Sequence, residues 1–175
     1  MYVVPVDTYL AIASKRDWRR YAEQSIPEGV ERRILDAGRL AGSAMNRQPW
    51  TFVVAGPETR KSLSEAVYAP GNVTGAALVV AVVAEGEGWG GFDSARAAQN
   101  MMLAAWNEGV VSCPNGLADA DKAGEALDLG EGERIVVVLS FGYPTRDLDP
   151  ESRPSEDWSR EANRRSLDEV IRRTS

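Results

Sequence analysis

Apolar residues recur at helical spacing early in the chain and give way to unbroken apolar runs further on. Val30, Ile34, Ala37 and Ala41 follow Pro27 at steps of three to four residues, which predicts an amphipathic helix opened by the proline. Ahead of it, Asp7 can cap a short helix over residues 8–14. Residues 50–55 read as a strand and 57–68 as a helix. Residues 76–84 are apolar on both faces of an extended chain, the pattern of a central strand. A glycine-rich link, 85–91, leads into a long helix from about 92 to 108, whose alanines and methionines place it deep in the core or in a subunit interface. A short helix at 119–127 and a last clear strand at 135–141 complete the body. Helices and strands mixed in this order make an α+β or three-layer arrangement around one sheet. From Tyr143 the chain turns polar, carries three prolines and many charges, and lacks a core of its own. Such a tail wraps over its own body or over a partner.

Composition narrows the chemistry. A chain of 175 residues, 43% of them hydrophobic, fits one globular domain or two very unequal ones. A chain this long removes roughly 70% of its unfolded surface from water, enough for a core without staples. One cysteine, Cys113, excludes an internal disulfide and suits a reducing compartment. The opening residues are broken by Pro5 and Asp7 and show no targeting segment, so a cytoplasmic protein is expected. Residues 76–84 are far too few to cross a bilayer core of about 30 Å, which argues against a membrane partner. A net charge of −6 argues against a nucleic-acid footprint. Histidine is absent altogether, which removes Ser-His and Cys-His nucleophile pairs and His-ligated metals. A single thiol cannot build a zinc site either. If the chain is an enzyme, its hard chemistry belongs to a bound organic cofactor.

Three short segments carry candidate chemistry. Lys15-Arg16-Asp17-Trp18-Arg19-Arg20 places four cations in six residues of an acidic protein; it reads either as a phosphate site or as a solvated surface run. Ser43, Asn46 and Gln48, with Pro49 and Trp50, offer donors and acceptors on a loop, as a flat heteroaromatic ring with a polar edge requires; a helix cap and turn is the plainer alternative. Cys113-Pro114-Asn115-Gly116 is expected to form a tight turn with exposed N–H groups, one of which could donate to a ring nitrogen. Cys113 has no base partner in the sequence and is rejected as a nucleophile. A fourth segment, Gly86 to Gly91, spells G-x-G-x-x-G between a strand and a helix. Glu85 and Glu87 would repel a pyrophosphate there, and Glu108 falls near a helix end where a dinucleotide fold needs an acid at a strand tip. A flexible loop is the better reading.

Taken together, these pieces resemble the FMN-dependent nitroreductase family over most of the chain. The family's opening R-R-S-x-R pattern is matched by Lys15-Arg16-Asp17-Trp18-Arg19, and its A-P-S-x-x-N-x-Q-P-W by Ala41 through Trp50. The helix beginning Asp93-Ser94-Ala95-Arg96, the exit Ser140-Phe141-Gly142-Tyr143-Pro144, and Arg164 to Val170 resemble the family's central helix, last core strand and R-K-P-L-E-E-V tail. The resemblance implies a three-layer α/β/α sandwich around a mainly antiparallel sheet, in a homodimer. It implies a single domain over 1–150, with a tail over 151–175 that completes the cofactor site and the dimer. It implies FMN as cofactor, held by Lys15, Arg16, Asp17 and Arg19 with Arg164 and Arg165 from the tail. Ser43, Asn46 and Gln48 would reach the flavin from the partner subunit, and backbone N–H groups near Asn115 and Gly116 would approach its hydride-accepting nitrogen. NADH or NADPH would supply electrons for an electron-poor small-molecule acceptor, a nitroaromatic or a quinone, with no side chain acting as acid or base. A specialised flavin-dependent dehydrogenation, or flavin binding without turnover, would use the same scaffold. Asp17 stands where the family has serine, an anion beside the phosphate site unless it pairs with Arg19 or Arg20. Gly42 replaces the family's proline, and the link before the long helix is shorter than in many members.

Overall fold

A computed structural model describes residues 7–86 and 90–174. Asp7 caps helix α1 (Thr8–Ser14), its carboxylate accepting from the N–H groups of Tyr9 and Leu10 at 2.9 and 3.1 Å. Pro27 stands at the N-cap of α2 (Glu28–Arg39), one residue before the position expected for it. Then follow β1 (Trp50–Val54), α3 (Pro57–Ser64), α4 (Pro70–Thr74), β2 (Leu78–Glu85) and α5 (Gly90–Asn107). The chain closes with β3 (Val111–Asn115), α6 (Ala120–Ala126), β4 (Glu133–Gly142), α7 (Ser155–Glu161) and α8 (Leu167–Val170).

Among the described residues the strands form one four-stranded sheet in the order β1-β2-β4-β3, antiparallel at every junction. No parallel pair flanks β2, so the turn after it is not a dinucleotide-binding crossover; Glu87 to Trp89 lie outside the described residues. From Leu78 to Ala84 every residue of β2 is buried. The period of two then sorts its side chains: Val79, Ala81 and Val83 pack with Leu63, Val73 and Ala123 from α3, α4 and α6. Leu78, Val80 and Val82 pack on the other face with Ile34 from α2 and Met101 and Ala105 from α5. The result is a sheet between two helical layers, and the long helix α5 belongs to the core. The predicted helix over 57–68 stops at Ser64, and the chain then turns to Pro70 to begin α4.

The polar tail packs on its own body over residues 150–161. Trp158 donates its Nε1–H to the Pro150 carbonyl at 2.9 Å, and Arg16 reaches from the end of α1 to the Trp158 carbonyl at 2.9 Å.

Candidate functional site

Beyond α1 the chain runs extended along the outer edge of β3. Asp17 bridges Ser112 in the parallel sense, and the Trp18 N–H donates to the Ser112 carbonyl at 3.0 Å. Arg16 donates to the carbonyls of Ala13, Lys15 and Trp158, so its guanidinium ties the cationic segment to the tail. Asp17 pairs with Lys15, a partner other than the Arg19 or Arg20 considered from the sequence. The anion beside the proposed phosphate site is therefore compensated from within the segment. Arg19 lies close enough to the Cys113 thiol to favour its ionised form, a smaller effect than burial. Lys15, Arg16 and Arg164 line one concavity of about 260 Å³ together with Ile12 and Ser159. Arg165 is exposed beside Arg164. A larger open cleft of about 860 Å³ lies between the segment and the tail, where Arg146 sits 5.0 Å from the Trp18 ring and Arg153 3.8 Å from the Trp158 ring.

The expected turn at Cys113 to Gly116 is instead the end of a strand, with Asn115 paired to Val138 of β4. The reason is side-chain bonding. Asn115 is buried, and its Nδ2 donates to the carbonyls of Cys113 and Val138 and to Ser140 Oγ at 3.0, 3.1 and 3.0 Å. Those bonds satisfy the amide within the ladder and remove the incentive to turn. Ser112 faces the cationic segment from the edge away from β4, and the period of two carries the peptide groups of Pro114 and Gly116 to that same edge. Proline has no N–H, so Gly116 is the next donor there. Among the described residues its N–H meets no acceptor, while its carbonyl accepts from the Tyr68 N–H at 3.2 Å. The Cys113 thiol is buried and pushed upward by that burial and by Asp17, the opposite of an activated nucleophile.

The loop carrying Ser43, Asn46 and Gln48 is held in strained backbone. Met45, Asn46 and Gln48 have φ of 53°, 56° and 50°, a left-handed conformation that non-glycine residues adopt at a cost. Ser43 Oγ accepts from the Gln48 N–H at 2.9 Å, and buried Asp93 accepts from the Ala44 N–H at 3.0 Å. Gly42 permits Arg96 to approach: a Cβ there would stand 2.7 Å from its Nη2. The Asn46 and Gln48 side chains stay exposed.

Within one chain these groups do not all converge. Asp93, at the start of α5, anchors the Ser43 loop, whereas Met102 and Trp106, near its other end, touch Lys15 and Ser14. Nine to thirteen helical residues separate the two, about 14–20 Å of helix axis.

Sequence reading missed Tyr21, Asn72 and Ser140. Asn72 donates to Asn115 Oδ1 at 2.9 Å, and the Tyr21 hydroxyl lies 2.8 Å from Ser140 Oγ and 2.9 Å from the Trp18 carbonyl. Burial holds the Tyr21 phenol far above its ordinary range, partly offset by Ser140. The one available signal was Ser140, a lone hydroxyl in an otherwise apolar strand. Among the described residues no group of acids and thiol is placed to hold a metal ion, and no helix is long and apolar enough to cross a membrane.

An antiparallel sheet between helical layers, with a cationic segment along one sheet edge, defines a three-layer α+β protein. The chain belongs to the nitroreductase family, whose model matches residues 12–89 and 76–143. An Archaeoglobus fulgidus relative, whose name couples NADH dehydrogenase with NAD(P)H nitroreductase, is 33% identical over 150 residues, covering 79% of this chain and 86% of that protein. An NADH dehydrogenase of Thermus thermophilus is 39% identical over 81 residues, spanning 46% of this chain and only 40% of that protein. A nitroreductase from Desulfovibrio desulfuricans, solved in complex with FMN, superposes with a TM-score of 0.80 at 24% identity, over 97% of this chain and 98% of that one. At that identity the likeness speaks for the fold.

Proposed function

We propose that this protein is an NAD(P)H-dependent FMN oxidoreductase that reduces an electron-poor acceptor such as a nitroaromatic or a quinone. The observation that carries this reading is the gathering of Lys15, Arg16 and Arg164 in one concavity; on the edge of β3 that the cationic segment follows, the Gly116 N–H meets no acceptor among the described residues. A terminal phosphate fits the cations, and a ring nitrogen fits the open donor. Bound there, FMN would supply the hydride-transfer chemistry that links NADH or NADPH to the acceptor. Lys15 and Arg164 hold the phosphate, while Arg16, through its bond to the Trp158 carbonyl, keeps the tail against it. Arg19 places positive charge at the polar edge of the ring, where negative charge grows on reduction. Gly116 orients the ring through its N–H. No side chain needs to act as an acid or base, in keeping with a chain that has no histidine.

The site is shared between two copies of the chain. The loop of Asn46 and Gln48 is anchored at the start of α5 whereas the cationic segment packs near its other end, and the strain stored at Met45, Asn46 and Gln48 is the kind found where a loop is shaped for a ligand. Exposed Tyr9 and Ile12 on α1 and Leu167 on α8 offer apolar surface for the second copy.

The test is direct. Protein purified after expression, or reconstituted with flavin, is expected to show a flavin absorption band, release FMN on acid treatment, and bleach with NADH or NADPH. Release of FAD, or no affinity for either flavin, would overturn the proposal.

A further inference from the structure

Four buried or half-buried groups join into one directional chain of hydrogen bonds. Asn72, on α4, donates to Asn115 Oδ1 at 2.9 Å, and Asn115 Nδ2 donates to Ser140 Oγ at 3.0 Å. The Ser140 hydroxyl can donate to Tyr21 Oη at 2.8 Å, and Tyr21 to the Trp18 carbonyl at 2.9 Å. In this sense Asn115, Ser140 and Tyr21 each donate to the next group, although the Ser140 hydroxyl also has the Cys113 carbonyl within reach at 3.2 Å. Its second member, Asn115, is the residue before Gly116, and its last acceptor, the Trp18 carbonyl, lies between Asp17 and Arg19. These are two of the segments assigned to the flavin, and they lie far apart in the sequence. Ser140 is fully buried at the middle, on β4, behind both.

We propose that Ser140 is a positioning residue: through Asn115 and Tyr21 it sets the separation between the Gly116 N–H and the Arg19 guanidinium, and so the seat of the flavin ring. This inference rests on the flavin reading above. Ser140 touches neither phosphate nor ring; it acts by coupling the strand end to the cationic segment. A buried relay of this kind is rigid only when complete, so removing one link loosens both ends together.

Ser140→Ala in the full-length chain is the first test. Without the hydroxyl, Asn115 Nδ2 still reaches the carbonyls of Cys113 and Val138, and Tyr21 still reaches that of Trp18, so no buried donor is orphaned and the fold persists. FMN affinity, measured by fluorescence titration, is expected to weaken about fivefold to tenfold, the scale of one net hydrogen bond. At saturating FMN, kcat should fall by a similar factor with KM for NADH within about twofold. Tyr21→Phe, which keeps the ring and its packing, breaks the same relay one link further on and should give the same pair of changes. The double variant should then be no weaker than the worse single, because one relay cannot be broken twice. A lowered thermal midpoint with FMN affinity unchanged in either variant would show a purely structural role and overturn the proposal, as would losses that multiply in the double variant. Failure of the unaltered protein to bind FMN would overturn the flavin reading and this inference with it, whereas normal binding by both it and Ser140→Ala would overturn this inference alone.

Discussion

Asn115 shows how one side chain redirects the backbone. The dipeptide Asn115-Gly116 favours a turn on local grounds, yet the amide finds its acceptors across the ladder in Val138 and Ser140 and the strand continues. Two groups beside it make stability depend on pH in the alkaline range. Burial raises both the Cys113 thiol and the Tyr21 phenol, and each is neutral when protonated. From about pH 8.5 an unfolded thiol loses its proton while the folded one keeps it, and an unfolded phenol follows near pH 10. The folded state then binds more protons than the unfolded, so stability is complete below about pH 8.5 and falls as pH rises. Urea unfolding at pH 7.5 and 10.5 should show this decline, and Tyr21→Phe should make it shallower; a decline equally steep in the variant would exclude Tyr21 as a source.

At the scale of elements, the contact between α2 and α5 depends on Gly38. A Cβ there would lie 2.3 and 2.9 Å from Met101 Cε and Cγ and 3.0 Å from Phe52 Cζ, so the two helices meet at a residue without a side chain. Gly38→Ala gains helix propensity of about 1 kcal/mol but overpacks the core by about 1–3 kcal/mol, for an expected net loss of about 1 kcal/mol. Gly29, in the first turn of the same helix, has only Arg33 Nη1 within reach, at 3.8 Å. Gly29→Ala should therefore be neutral or slightly stabilising. Chemical denaturation of both variants checks the contrast, and a stabilised Gly38→Ala would mean that α2 and α5 are less closely packed than described.

At the scale of the whole molecule, α5 separates the loop of Ser43, Asn46 and Gln48 from the cations by more than half its length, which is the physical case for a site shared between subunits. Arg19→Ala and Asn46→Ala should each weaken flavin binding. In a dimer of one variant with the other, one site inherits both lesions and the other neither. Co-expressed, separately tagged variants purified as heterodimers are expected to recover up to half of the flavin of the unaltered dimer. Heterodimers with no more flavin than either parent would place the whole site within one chain.

The sequence by itself determined the elements that periodicity controls: the capped α1, the amphipathic α2, the apolar central β2 and the long α5 were all legible, because a hydrophobic stripe or run needs only local spacing. Motif likeness likewise pointed to the family and to the cationic segment. The tertiary structure decided what depends on partners distant in the chain. Residues 113–115 became a strand because Ser140 and Val138 satisfy Asn115, and Asp17 turned to Lys15 because the edge of β3 holds the segment extended. The helix predicted over 57–68 divided at Ser64, where the chain turns toward α4. Tyr21, Asn72 and Ser140 carried no local signature of a shared role; three separated segments had to be folded together before their hydroxyls and amides could meet, since a hydrogen-bonded relay is a property of distances and not of spacing along a chain.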